Sequence, residues 1–329
     1  MLQYTLILFG GYMKKLTSVL FCLLFFITTV TFAQRKDDLV GRFVPSDNHT
    51  LLFCGQNNED SKEFVEINKK VPAGFMIYTS LQNLEGLEED VEYGTGKMSG
   101  SFILKNYKKA ALQIGLFLVG SLDSVIVGSL DDNIKNLGNW IKKAKVPVFL
   151  RIGYEFDFPE NNYDPEMYKQ AFRYIVEKLD EQKVTNVAYV WHSYASYNPK
   201  GIERFYPGDE YVDWCAISYF KNPQWFPMVQ FSKAHNKPLM IAECSPTLGS
   251  DSSEADKIKW YRILFKFIQN KDIKMLCYIN ANWDEQPMFS QYEWGNAKLD
   301  VSEVITNFWL ENIVDKRFIN LDRLHKELK

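Results

Sequence analysis

The stretch Val146-Pro-Val-Phe-Leu-Arg-Ile-Gly-Tyr-Glu-Phe-Asp157 decides the fold, because it begins as a continuous apolar run and ends in charged and aromatic residues. Its first half, Val146 to Leu150, predicts a strand buried on both faces. Arg151, Glu155 and Asp157 share one parity and are expected to point to one side. Parallel α/β folds build active sites from polar groups at the carboxyl ends of such strands. The alternative is a strand that surfaces into a loop with solvated charges.

Seven more apolar runs recur along the chain, about 25–40 residues apart, which is the period of a strand–helix unit. Their composition predicts buried strands of the same kind. With the quoted stretch as the fourth, the full series of runs is Leu51–Cys54, Gly74–Tyr78, Leu112–Val119, Val146–Tyr154, Asn186–Trp191, Val212–Tyr219, Pro238–Ala242 and Met275–Ile279.

Helical patterns lie between these runs. Asp164-Pro165-Glu166 supplies an N-cap, an N1 proline and a first-turn acid. Similar starts occur at Asp131-Asp132-Asn133 and Ser252-Ser253-Glu254, and Lys298 to Asp315 ends the series. Eight strands alternating with helices predict an α/β fold, a single (β/α)8 TIM barrel over residues 34–329. A doubly wound open sheet is the alternative, but Cys54-Gly55-Gln56-Asn57 does not supply its Gly-x-Gly-x-x-Gly motif.

The composition narrows the class of partner. The net charge is −3 and no run of lysine and arginine is present, so we expect no nucleic acid partner. Aromatic residues make up 15% of the chain, which suits either an aromatic-rich core or a cleft whose flat rings bind sugar. The composition leaves these two alternatives open; a sugar-binding cleft would make an oligo- or polysaccharide the partner. We expect a monomeric protein.

The N-terminus predicts a secretory signal peptide over residues 1–33. Lys14-Lys15 precedes the apolar stretch Leu16 to Val30, and Thr31-Phe-Ala-Gln34 supplies a cleavage site. Met13 is then the expected true start, and we expect a bacterial protein that is secreted or periplasmic. A retained membrane anchor is the alternative. No later segment is apolar enough to span a bilayer.

The cysteines predict no metal site and no cofactor. They follow neither CxxC nor other metal-ligand spacing, and HExxH is absent. Each cysteine of the mature chain lies in or next to a strand-like run, where a free thiol is a common small core residue. We expect buried thiols, and leave one disulfide open, among Cys54, Cys215, Cys244 and Cys277.

Two glutamates follow predicted strands that lie nearly opposite each other in an eight-stranded barrel. Glu155 follows the fourth strand and Glu243 the seventh. Two carboxyl groups about 5 Å apart would suit a retaining glycosidase, with one protonated and the other ionised. Arg151 and the Tyr219 hydroxyl are expected to hold Glu243 ionised, and Tyr154 is expected to raise the pKa of Glu155. The alternative for each glutamate is a solvated loop acid or an ion-pair partner.

Further candidates for substrate contact stand at other strand ends. Trp283 follows the eighth run and is placed to stack on a sugar, although a tryptophan is more often core. His192 is either a substrate contact or a structural hydrogen-bonding residue, and the alternative for Asp157 is a plain loop acid. The set that we expect to bind substrate is Gln56, Arg151, Tyr154, Trp191, His192, Tyr219 and Trp283. Gly86 to Lys105 is expected to form a flexible loop over the barrel mouth.

These residues resemble those of glycoside hydrolase family 26. The resemblance rests on Arg151-x-x-Tyr-Glu155, on Tyr206-Pro-Gly-Asp-Glu-Tyr-Val-Asp-Trp214 and on Lys237-Pro-Leu-Met-Ile-Ala-Glu243, and it covers about Gly55 to Glu285. It implies a retaining barrel glycosidase with catalytic glutamates after strands 4 and 7. Glu155 is then the acid/base and Glu243 the nucleophile, supported by Arg151 and Tyr219.

Two positions depart from the mannanases of that family. Mannanases carry histidine where this chain has Tyr154, and aspartate where it has Ile217 or Ser218. Gly-Tyr-Glu-Phe-Asp157 and Trp191-His-Ser look more like the β-1,3-xylanase branch. The resemblance therefore implies an endo-acting hydrolase of a xylan-type polysaccharide, with β-1,3-xylan first. The alternatives are a β-mannanase, a catalytically impaired glycan-binding barrel, and a barrel enzyme that uses one carboxylate as a base.

Overall fold

The structure is a computed structural model that describes residues 39–196, 198 and 200–328. The predicted signal peptide over residues 1–33, with its proposed start at Met13, lies outside the described residues. Within the described ranges, no helix combines the length and the apolarity needed to cross a bilayer.

The strands form a closed parallel barrel. Eight of them pair side by side in the order β10-β9-β8-β7-β6-β5-β2-β1, and β1 pairs with β10 to close the ring. This closure confirms the predicted (β/α)8 TIM barrel and excludes the open sheet. The strands in chain order are β1 Thr50–Gly55, β2 Gly74–Ser80, β3 Val91–Glu92, β4 Lys97–Met98, β5 Ala111–Phe117, β6 Val148–Ile152, β7 Val187–Ser193, β8 Trp214–Tyr219, β9 Leu239–Cys244, β10 Met275–Ile279 and β11 Phe318–Ile319.

Helices surround the barrel, and two of them begin at the predicted caps. Asp164 accepts hydrogen bonds from the amides of Glu166 and Met167, and Ser253 forms a capping box with Asp256. The last predicted helix begins at Glu303, later than expected, with Ser302 as its cap. The described helices are α1 Asn58–Asn68, α2 Gly100–Asn106, α3 Leu122–Ile126, α4 Asp131–Ala144, α5 Pro165–Glu181, α6 Phe226–Ala234, α7 Glu254–Lys271, α8 Glu303–Ile313 and α9 Leu321–Glu327.

Strand alternation divides the apolar residues into two cores. One set of side chains fills the barrel and includes Phe53, Phe149 and Trp214, which meet edge to face around the Phe149 ring. The other set packs between the strands and the helices. The inner core leaves little free space: a Cβ at Gly74 would stand 2.3 Å from the Phe53 ring. The barrel interior is therefore solid below the level of the site.

A β-bulge interrupts the alternation in β9. Ile217 pairs with Ile241, but the next residue of β8, Ser218, pairs with Glu243, so Ala242 is an extra residue. The pairing with β10 shifts at the same place. Ala242 belongs to the inner core, so strict alternation would turn Glu243 towards the helices. The bulge turns it into the barrel instead, as bulges next to active sites commonly do.

The segment from Gly86 to Lys105 has more secondary structure than the loop that we predicted. It contains the β3–β4 hairpin and the start of α2. The hairpin is tied down on two sides: Asn57 donates a 2.6 Å hydrogen bond to the Thr95 carbonyl, and the Met288 amide donates one of 3.1 Å to Gly94.

The four cysteines of the described chain are buried free thiols, as predicted, and no disulfide joins them. Burial raises the pKa of each thiol, which keeps it protonated and unreactive.

Candidate active site

A tight turn after β6 presents Glu155. The strand ends at Ile152, and both Gly153 and Glu155 take the left-handed conformation, with φ values of 55° and 53°. A glutamate in this conformation costs about 1–2 kcal/mol. Its carbonyl accepts 2.9 Å hydrogen bonds from the Phe158 amide and the Asn161 side chain, which offset that cost. The shared parity that we predicted for Arg151, Glu155 and Asp157 is therefore wrong beyond the end of the strand.

Arg151 and Glu243 form a buried ion pair inside the barrel mouth. Arg151 is fully buried and donates a hydrogen bond from Nη1 to Oε1 of Glu243. Its guanidinium also lies over the rings of Tyr78 and Tyr154, 5.1 and 5.2 Å from their centroids. Arg151 thus meets Glu243 as predicted, and it fixes the position of that carboxylate.

Tyr78 lies beside this pair and is not among the residues predicted from the sequence. Its ring lies under the Arg151 guanidinium, and both Glu243 and Arg151 are close enough to act on the pKa of its hydroxyl. Its inward direction is readable from its alternation with Phe75 and Ile77, which face the helices. Burial, with Glu243 next, raises the pKa of Tyr78, so the hydroxyl keeps its proton and can donate it to the carboxylate.

The prediction that Tyr219 supports Glu243 is wrong. The Tyr219 ring lies on the outer side of β8 and packs against Trp260 and Phe267, with centroids 5.8 and 5.2 Å away. It is buried in the layer between strands and helices, so it offers no surface to a substrate.

Glu155 has surroundings unlike those of Glu243. Its Oε1 accepts a 2.5 Å hydrogen bond from Ser218 Oγ, and Ser218 pairs directly with Glu243 across β8 and β9. Burial and the charge of Glu243 raise the pKa of Glu155, and the Ser218 hydroxyl and Arg151 offset part of that rise. The two carboxyl groups are thus close, but only one of them is neutralised by a cation.

His192 lies beneath the two carboxyl groups, so the predicted substrate contact is wrong. The ring is 0% exposed. Nδ1 lies 3.2 Å from Arg151 Nη1, and Nε2 lies 3.1 Å from Ser218 Oγ. Burial and the charge of Arg151 lower the pKa of His192 well below its usual range, so the imidazole is neutral. The structural reading of this residue is the correct one.

Trp191 also lies outside the site, contrary to prediction. It is 0% exposed and stacks on Phe156 at 4.5 Å, and Tyr206 and Phe231 cover the rest of its ring at 4.9 Å each. It belongs to the outer core. No face of the indole is open to a sugar.

Trp283 supports the rim of the mouth rather than forming a free platform. It is 2% exposed, donates a 3.0 Å hydrogen bond to Ser245, and packs edge to face against Phe289 and Trp294. The open ring of this cluster is Tyr292, which is 55% exposed and stacks on Trp294. The predicted stacking floor is thus a buried base for other rings.

The remaining predicted residues lie at the mouth or beside it. Gln56 follows β1, is nearly buried and donates to Gln286 at 3.3 Å. Tyr154 packs against Tyr78 and Phe117. Asp157 accepts 2.7 Å hydrogen bonds from Ser193 Oγ and the Tyr194 amide, so it ties the loop after β6 to the loop after β7.

The described residues contain no group of three or more histidine, cysteine, aspartate and glutamate side chains arranged to hold a metal ion.

Comparison with known proteins places this site in a class. The sequence matches glycosyl hydrolase family 26 over residues 118–286, a range that holds both glutamates. A β-1,3-xylanase of Vibrio sp is 30% identical over 90% of this chain and 71% of its own length. A β-1,3-xylanase of Alcaligenes sp is 30% identical over 86% of this chain and 67% of its own length.

Solved structures agree on the fold. A family 26 β-mannanase of Bacteroides ovatus superposes with a TM-score of 0.59 at 12% identity, covering 84% of this chain and 91% of its own. The catalytic domain of a Bacillus sp. endo-β-1,4-mannanase of the same family gives 0.62 at 14% identity, covering 87% and 94%.

The barrel and its paired carboxyl groups thus belong to a glycoside hydrolase, an enzyme that acts on O-glycosyl bonds. The chain belongs to glycosyl hydrolase family 26, and its sequence stands closer to the β-1,3-xylanase branch than to the mannanases.

Proposed function

We propose that this enzyme cleaves a β-linked polysaccharide with retention of configuration, with Glu155 as acid/base and Glu243 as nucleophile. One observation carries the proposal: Arg151 is paired with Glu243, while Glu155 lies against Ser218 and has a raised pKa. An ionised nucleophile and a protonated acid are what the first step requires.

In the first step, a Glu243 oxygen attacks the anomeric carbon of the bound sugar. The bond from that carbon to the leaving oxygen breaks, and its electron pair moves to the leaving oxygen. Glu155 transfers its proton to the same oxygen, so the aglycone leaves as an alcohol. Arg151 holds the attacking carboxylate in place, and the Tyr78 hydroxyl lies near it.

In the second step, the ionised Glu155 accepts a proton from a water molecule that attacks the anomeric carbon. The ester bond to Glu243 breaks, and Glu243 regains its negative charge and its partner Arg151. Two inversions at one carbon give overall retention.

We propose β-1,3-xylan as the substrate. The support is the 30% identity to two β-1,3-xylanases, together with two departures from the mannanases. Tyr154 stands where they carry histidine, and Ile217 or Ser218 stands where they carry aspartate. Tyr154 packs on Arg151 at the rim of the mouth, within reach of a sugar bound next to Glu243. A β-mannanase of the same family and a glycan-binding barrel without activity are the competing assignments.

A panel of polysaccharides tests the substrate and the activity together. The protein and its Glu243→Ala variant are incubated with β-1,3-xylan, β-1,4-xylan, mannan and β-glucan, and reducing ends are counted. We expect release from β-1,3-xylan by the wild type only, with the variant slower by about 10⁴-fold or more. Faster release from mannan would reassign the substrate, and binding without release would make the protein a glycan-binding barrel.

The stereochemistry and the cleavage mode have their own measurements. NMR of the first products should show the β-anomer before mutarotation, and an α-anomer would turn Glu243 from nucleophile into base. Viscosity that falls faster than reducing ends appear supports internal cleavage, whereas a steady release of one small product would point to chain-end attack.

We also propose that the enzyme is exported and acts as a monomer. The support for export is the basic pair Lys14-Lys15, the apolar stretch that follows and the Thr31-Phe-Ala33 cleavage site. N-terminal sequencing of protein from culture fluid or periplasm should begin at Gln34. A chain that keeps residues 1–33 and stays with the membrane would favour an anchor. Light scattering measures the mass in solution.

A further inference from the structure

A continuous chain of hydrogen bonds joins the two carboxyl groups under the floor of the site. It runs from Glu243 to Arg151, then through His192 and Ser218 to Glu155. His192 and Ser218 are essentially fully buried. Neither is needed to hold the barrel strands together, because strand pairing there uses backbone groups.

The donor and acceptor capacity of each side chain determines where the protons lie in this series of hydrogen bonds. Arginine has donors only, so His192 Nδ1 must accept from Arg151 and carries no proton. A neutral imidazole has one N–H, which must then be on Nε2, and it donates to Ser218 Oγ. The single proton of the Ser218 hydroxyl is left for Oε1 of Glu155.

We propose that Ser218 and His192 are positioning residues that place the catalytic proton of Glu155 on Oε2, the oxygen that Ser218 does not hold. This inference rests on the proposed role of Glu155 as acid/base. A proton on Oε1 directed at Ser218 Oγ would meet the serine proton that is donated to Oε1, so the serine would have to turn away and lose that acceptor. Oε2 is the remaining oxygen, and a proton there is free to pass to the leaving group.

The donors in this series of hydrogen bonds all point from Arg151 towards Glu155, because Arg151 can only donate. The permanent charge of Arg151 orients the histidine, the histidine orients the serine, and the serine selects the oxygen of Glu155. The same arginine holds Glu243. One cation therefore contacts the nucleophile directly and orients the acid through two neutral side chains.

The pH dependence of Glu155 has other contributors, which the test must keep constant. The titratable and charged groups that face it are Glu243, Arg151, His192 through Ser218, Tyr154, Asp157 and Tyr194. The Ser218 hydroxyl lowers the pKa of Glu155, so its removal must raise that pKa. Because the acid works in its protonated form, the basic limb of kcat/KM then moves to higher pH.

Kinetics of Ser218→Ala test the proposal with two substrates. β-1,3-Xylotriose has a poor leaving group that needs the proton, whereas a dinitrophenyl β-xyloside has one that does not. We expect kcat/KM to fall about 10-fold on the first and less than about 2-fold on the second, the difference expected for one hydrogen bond to a charged or reacting group. Ser232→Ala removes another buried hydroxyl, far from the site on α6, and serves as the control.

A double variant separates this inference from the proposed function. In a Glu155→Ala background, Ser218→Ala should cause no further loss, because Ser218 acts through Glu155. An equal loss on both substrates, or a full loss added to that of Glu155→Ala, would overturn the positioning role. Full activity of Glu155→Ala itself on xylotriose would instead overturn the proposed role of Glu155.

The histidine tautomer provides a test without turnover. Nitrogen-15 NMR of the ring, with His192→Phe to assign the signal, should show a proton on Nε2 and none on Nδ1 from about pH 5 to 9. A proton on Nδ1, or an imidazolium within that range, would break the chain of donors and overturn the inference whatever the substrate proves to be.

Discussion

At the ends of β7 and β8, neighbouring side chains point to opposite sides of the barrel wall. Trp191 and Tyr219 point out and are covered by rings of the outer layer. His192 and Ser218, one position away on each strand, point in and contact Arg151 and Glu155. Side-chain type alone would assign the first pair to sugar binding, but alternation along the strand assigns the second pair to the site.

The comparison shows how the barrel separates two tasks. Outward residues at the strand ends stabilise the contact between strands and helices, and inward residues arrange the charge of the carboxyl groups. Substitutions on the two sides should therefore change different quantities: stability outside, catalysis inside.

The largest effect on catalysis is expected for Glu155, whose side chain lies inside the barrel mouth. Glu155→Gln should lower kcat on the polysaccharide by about 10²–10⁴-fold, the usual contribution of a general acid, and leave the melting temperature nearly unchanged. In the wild type, kcat/KM should fall as pH rises through the raised pKa of Glu155, above the ordinary glutamic acid range, because the acid then loses its proton. The variant should not show this fall in kcat/KM at high pH. The pH profiles of kcat/KM for both proteins provide the measurement, and a fall that persists in the variant would contradict the assignment.

Trp191 tests the outward side. Trp191→Ala removes a fully buried indole from the Phe156 and Phe231 rings and should lower the free energy of unfolding by about 3–5 kcal/mol. Urea denaturation measures the change. The kcat of the folded enzyme should stay within about 2-fold, because the indole does not reach the site. A rise in KM with unchanged stability would return Trp191 to the substrate contacts.

Two tyrosines make a matched pair of hydroxyl deletions. Tyr78→Phe removes a donor near Glu243 and should lower kcat about 10-fold, as expected for one hydrogen bond to a charged group. Tyr219→Phe removes a hydroxyl from the outer layer and should leave kcat unchanged. Steady-state kinetics of both variants measure these changes. A loss of kcat in Tyr219→Phe but not in Tyr78→Phe would mean that the role predicted for Tyr219 from the sequence is correct.

The smallest effect is expected for Ser193, the residue after His192. Ser193→Ala loses the 2.7 Å hydrogen bond to Asp157 that joins two loops, so the free energy of unfolding should fall by about 1 kcal/mol. Thermal denaturation measures this loss. The pH profile should not move, and a shifted profile would show that the loop bond reaches the catalytic pair.

The sequence was sufficient for the barrel because its signals are local. Apolar runs and capping residues such as Asp164 and Ser253 depend on a few neighbouring positions, and they mark the strands and two of the helices where the structure has them. The pairing of Arg151 with Glu243 was also predictable, since opposite charges converge at strand ends inside a barrel.

The errors have a common physical cause. Beyond Ile152 the chain turns with positive φ values, so parity no longer tells where Glu155 and Asp157 point. The chemistry of Trp191 and Tyr219 suggests a role in the site, although their alternation with inward-facing Ala188 and Ala216 places them outside. Tyr78 was readable by the same rule and was missed because it resembles an ordinary strand residue.

The bulge at Ala242 limits how this site can be transferred to another protein. A barrel with regular strands that received only the glutamates and Arg151 would turn the equivalent of Glu243 towards its helices. The segment that must be transferred is therefore longer than the set of catalytic side chains. It includes the extra residue, Ala242, and the end of the strand through Cys244 to Ser245, where the alternation of side chains is shifted by one residue. For a protein engineer, the backbone at this point is as much a part of the active site as the carboxylate.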